Sequence, residues 1–126
     1  MTAPGPDPGT VDNLRRICLA LPEAVEKPFG GHRAPAFRIR DKLFLQCRED
    51  GTALTCKAAP GEQALLVAAD PERFFVPSYV GHRGWVGIRL DDPVDWGEIA
   101  ELAEDSYRLV APRSLVARWD ESAAGT

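Results

Sequence analysis

Three separated stretches of this chain alternate apolar and polar residues with a period of two, and that alternation limits the fold more than any other feature. Phe37 and Ile39 alternate with Arg38 and Arg40, and Leu43, Leu45 and Cys47 continue the pattern after a short break. Leu54 and Cys56 repeat it, as do Val86, Ile88 and Leu90 against Trp85 and Arg89. Successive strand side chains point to opposite faces, so each stretch reads as a strand with one buried face. Residues 36–47 read as a hairpin turning near Asp41-Lys42. Glu49-Asp50-Gly51 is a second turn leading into a strand over 53–57. Turns this short join antiparallel neighbours, whereas parallel strands need long crossovers.

Helical spacing supplies the rest. Thr10 is a plausible N-cap for Val11, Leu14, Cys18 and Leu21, and Pro22 closes that helix. Pro22, Pro28, Pro35 and Gly30-Gly31 then punctuate residues 23–35, which read as a loop. Pro60 opens a short helix through Leu65, Leu66 and Ala69 that Asp70-Pro71 breaks. Residues 74–80 read as irregular or partly extended, and 81–84 as a turn. Asp95 caps a long helix with Glu98 in the capping-box position, and Ile99, Leu102, Ala103, Ser106 and Val110 form its buried stripe. Leu115, Val116 and Trp119 suggest a last apolar turn. The whole is a single α+β domain over 10–119, an antiparallel sheet packed with helices, with flexible ends at 1–9 and 120–126.

Eight stretches then carry a resemblance. They are Leu21-Pro22-Glu23, Glu26-Lys27-Pro28-Phe29-Gly30, Phe37-Arg38-Ile39, Lys42-Leu43-Phe44, Leu54-Thr55-Cys56-Lys57, Tyr79-Val80, Gly84-Trp85-Val86 and Ser106-Tyr107-Arg108-Leu109-Val110. Together, over residues 10–113, they resemble the MmcQ/YjbR family of small bacterial proteins. The resemblance implies an αβββαββα-like domain, comparable with secretion-chaperone-like and double-wing DNA-binding folds. It also implies DNA or another polyanion as a partner. It brings no set of catalytic residues.

The chain carries a net charge of −4, unevenly spread. Residues 31–90 hold nine basic and six acidic side chains, whereas residues 91–126 hold three and nine. A basic middle permits a local anion-binding surface. If Phe37 and Ile39 face inward, then Arg38, Arg40, Lys57, Trp85 and Arg89 face outward, with Lys42 and Arg83 nearby. Arginines on such a face can hold phosphates and an indole can stack on a base. The alternative is an ordinary solvated sheet face with a small-molecule or protein site at the loop edge around His32, Tyr79, His82 and Trp85. The repeated Gly-His-Arg at 31–33 and 81–83 draws attention to that edge.

Other chemistries find little footing. No G-x-S-x-G, P-loop or G-x-G-x-x-G occurs, so no catalytic residue and no cofactor is expected. Asp91, Asp92 and Asp95 read as turn and cap residues rather than metal ligands. Three cysteines without C-x-x-C spacing fit a reduced, cytoplasmic setting, although Cys47 and Cys56 fall on neighbouring strands. No apolar run reaches membrane-spanning length, and the first nine residues lack a signal pattern, so no membrane partner is expected.

Overall fold

The computed structural model describes residues 8–28, 34–91 and 93–124. His32 and the first Gly-His-Arg triplet, Asp92 and most of the leading segment lie outside them. Helix α1 (Pro8–Leu19) is followed by strands β1 (Val25–Glu26), β2 (Ala36–Ile39), β3 (Lys42–Cys47) and β4 (Ala53–Cys56). Helix α2 (Glu62–Ala69) leads to β5 (Phe74–Phe75), a 3-10 turn (Gly81–Arg83) and β6 (Val86–Arg89). Helices α3 (Trp96–Val110) and α4 (Arg113–Ala124) complete the described chain. The strands form one sheet in the order β1-β2-β3-β4-β6-β5, antiparallel at every pairing. The fold is α+β, as the alternation implied. No helix among the described residues is long and apolar enough to cross a membrane.

Several boundaries differ from the sequence expectation, each for a local reason. Residues 23–35 contain β1, because Lys27 N donates to Ala36 O and Val25 pairs with Arg38. Pro8 and Gly9 belong to α1, where a proline in the first turn sacrifices no hydrogen bond. Asp120 to Ala124 continue α4 rather than fraying, and Asp120 forms an ion pair with Arg108 of α3. The β2–β3 hairpin turns at Arg40-Asp41, one residue earlier than expected, with φ of 51° and 65°. Positive φ at both central positions marks a type I′ turn, whose twist matches that of the flanking strands.

Register decides which face is buried. Phe37 pairs with Leu45, but Arg38 pairs with Leu43, so Phe44 is an extra residue in β3. A bulge of this kind turns two consecutive side chains toward one side. Phe44 and Leu45 are both fully buried, while Leu43, expected inward, is only half-buried. Phe37, Leu45, Cys47, Leu54, Cys56, Val86 and Ile88 therefore form the inner face. Leu14 and Cys18 of α1 and Ile99, Ala103 and Tyr107 of α3 join them in one core. Tyr107 meets the Phe44 ring edge-on and its hydroxyl donates to Pro22 O at 2.7 Å, so the buried oxygen is satisfied. Ser106 Oγ likewise donates to Lys57 O. Asp95 caps α3 by accepting from Glu98 N, as expected.

Candidate functional site

The opposite face of the sheet holds the candidate site. Gln46 pairs with Thr55, and Thr55 with Gly87, so these three positions form a row across β3, β4 and β6 on the outer side. Phe75 pairs with Gly87 from the edge strand, and its ring lies directly over that glycine. A Cβ at position 87 would collide with Phe75 Cζ. Glycine is required here by a close approach of another side chain. Arg89 then covers the ring from above, its Cζ 4.8 Å from the Phe75 centroid, in cation–π geometry.

After Phe75 the chain folds back across this outer face, leaving a groove of about 550 Å³ between the segment and the sheet. Gln46, Arg48 and Thr55 form the floor, and residues 75–80 form the wall. That wall is tightly wound. Val80 N donates to Ser78 O at 2.7 Å and Gly81 N to Pro77 O at 3.0 Å. Tyr79, between the first pair, has φ of 66° and is 92% exposed. A bond from residue i+2 to residue i around a positive-φ centre is a strained γ-turn, rare for a bulky aromatic. A smaller cleft of about 180 Å³ adjoins the groove on the far side of Phe75, lined by Arg48, Thr52, Arg89 and Asp91.

Of the basic outer-face set, Arg38, Lys57 and Arg89 keep the phase opposite the core, but they do not meet. Arg38 lies on β2 and Arg89 on β6, three strands apart and at opposite ends of their ladders. Strand spacing and rise put them about 20 Å apart, diagonally across the sheet. Arg89 is engaged by the carbonyls of Pro71 and Glu72, and Arg38 by those of Lys27 and Asp41. Arg40 leaves the strand for the turn and pairs with Glu23 at 3.1 Å. Lys42 and Arg83 are exposed, at the hairpin end and on the 3-10 turn. Trp85, expected to share the Arg89 face, is instead buried at 7% exposure. It precedes β6, and its backbone closes onto residues 80–85 and α2 through Val80 O and Gln63 Nε2, which removes the indole from the open face.

Of the loop-edge set, Tyr79 alone among the described residues lines the groove; His82 is exposed on the 3-10 turn. Sequence reasoning missed Gln46, Arg48, Thr55 and Phe75. Alternation from Cys47 and Cys56 assigns Gln46, Arg48 and Thr55 to the outer face, so that signal was available. The position of Phe75 over Gly87 depends on pairing between residues twelve apart and had no sequence marker.

The cysteines contribute no reactive group. All three are free and buried, and burial pushes Cys47 up to about 11 and Cys56 to about 12, with Cys18 raised further. A thiol held neutral is a poor nucleophile.

A family model described as YjbR matches residues 19–109. Among solved structures, the chain is similar to the Deinococcus radiodurans protein DR2400, whose domain is described as DUF419. The two share 24% identity and superpose with a TM-score of 0.71, over 86% of this chain and 80% of that one. No curated protein matches the sequence.

Proposed function

The chain belongs to the YjbR family, and from that premise we propose that it is a small-molecule-binding module whose site is the groove under residues 75–80. One observation carries the reading: Tyr79 is fixed in a positive-φ turn at the groove while its ring stays almost wholly exposed. Strained conformations of this kind persist where the surroundings impose them, and they cluster at ligand sites. A backbone turn already held before a ligand arrives loses less entropy on binding. The groove volume falls within the range of small-ligand sites, and its lining combines apolar walls with a few hydrogen-bonding groups.

Indole, a neutral aromatic fragment, tests the reading by amide NMR titration. Shifts are expected at Gln46, Thr55 and residues 76–80. They should disappear in Thr55→Phe, which extends from the groove floor into the space above it. Shifts scattered over the surface, or none, would remove the groove as a site.

A second reading, DNA or another polyanion, is favoured by the basic excess of residues 31–90. Cations in two groups about 20 Å apart, several already engaged, support few phosphate contacts and hence weak, salt-sensitive binding. Anisotropy of a labelled 20-base-pair duplex at about 50 mM salt tests it. A flat titration there rejects polyanion binding.

A further inference from the structure

The groove and the cleft beside it share Arg48 and Phe75, so they are two chambers of one depression divided by the Phe75 ring. Their chemistry is unequal. Val76, Pro77, Tyr79 and Val80 give the larger chamber apolar walls. Two guanidinium groups and Thr52 line the smaller one, with the carboxylate of Asp91 beside them. We infer that the depression takes an amphipathic monoanion, a flat apolar body bearing one carboxylate, oriented with the carboxylate between Arg48 and Arg89. This inference rests on the groove reading above and adds the class and direction of the ligand.

The two arginines differ in a useful way. Arg89 is fixed: one terminal nitrogen donates to Pro71 O at 3.2 Å and Glu72 O at 2.9 Å, and the group lies over Phe75. The ring is thereby clamped between Arg89 and Gly87 and forms a firm partition. Arg48 is looser. Its ion pair with Asp50 is long at 3.5 Å and half-exposed. The Asp50 carboxylate is occupied chiefly by Thr52, accepting from its backbone N at 3.0 Å and its hydroxyl at 2.7 Å. Those bonds, more than Arg48, hold Asp50 below its ordinary carboxylate range. Arg48 can therefore exchange a weak contact for a charge-assisted bond to an incoming carboxylate.

Charge limits the valence. Asp91 lies among the arginines and Asp50 pairs loosely with Arg48, so the two guanidinium groups are already balanced. One carboxylate that replaces Asp50 at Arg48 keeps that balance, and a phosphate dianion overshoots it. A neutral ligand of the same shape would cover two cations and return nothing for their lost hydration.

A matched pair of probes, 2-naphthylacetate and 2-naphthylacetamide, tests the inference by amide NMR titration of the wild-type chain and of Arg48→Gln. Both probes should shift Thr55 and residues 76–80. The acid should bind about tenfold more tightly than the amide, the gain of one charge-assisted contact. Only the acid should shift the side-chain Nε–H signals of Arg48 and Arg89, and Arg48→Gln should erase most of its advantage. Equal affinity of the two probes in the groove overturns the inference and leaves the groove reading standing. A preference that survives Arg48→Gln also overturns it. Absence of groove shifts with either probe sinks both.

Discussion

Gly87 and Phe75 show how a single missing side chain shapes the outer face. The ring occupies the space a Cβ would fill, so Gly87→Ala forces it outward against Arg89. Overpacking of this kind costs about 1–3 kcal/mol. Urea denaturation should show that loss, and the amide shifts of residues 75–80 should move with it. An unchanged midpoint would mean the ring has another place to go. The same scale shows where sequence reading stops. Alternation correctly set Arg89 opposite Val86 and Ile88, but it also sent Trp85 outward, because a period of two says nothing about where a strand begins. Trp85 lies one residue before β6 and is held by the turn instead. Arg40 left the strand in the same manner at the other end of the sheet.

Among elements, the β2–β3 hairpin is both the most legible and the most strained. Its existence followed from two apolar runs separated by charged residues, yet nothing in Arg40-Asp41 announces a type I′ turn, which favours Asn-Gly. Holding L-residues at positive φ costs roughly 1–2 kcal/mol each. Replacing Arg40-Asp41 by Asn-Gly relieves that and gives up two exposed ion pairs, with Glu23 and with Lys27. Such pairs contribute about 0–1 kcal/mol each. The double variant should therefore unfold at higher urea concentration, by about 1 kcal/mol in free energy. A fall in stability would show that the Glu23 and Lys27 contacts outweigh the backbone strain. The bulge at Phe44 was illegible for a different reason. Leu43, Phe44 and Leu45 are all apolar, so hydrophobicity does not say which two share a face, and only the register against β2 decides.

Over the whole molecule, the class and most of the element order, though not β1 or the length of α4, were readable because local patterns agreed: short turns, one sheet, a capped third helix. The outer face was not, since its groove arises from a segment with no periodicity crossing a sheet assembled from distant strands. The core has a readable pH signature. Its three thiols are held neutral by burial, whereas an unfolded thiol ionises near its ordinary value of 9.0. Above about pH 9 the unfolded chain thus carries fewer protons than the folded one, and stability falls as pH rises. Each thiol contributes about 1.4 kcal/mol per pH unit until its folded value is reached. For Cys47 that value is about 11 and for Cys56 about 12. Urea unfolding at pH 8 and pH 9.5 should reveal the drop, and Cys56→Ala should flatten the slope by about one-third. A slope unaffected by that substitution would place the alkaline sensitivity elsewhere.

The sealing of every cysteine in the core also makes the chain a convenient carrier for probes. A maleimide dye added to the native protein has no accessible sulfur to attack, so a cysteine installed by Ser78→Cys becomes its sole attachment point. A fluorophore there stands at the groove wall, next to Tyr79, and reports occupancy without any native residue of the core being altered.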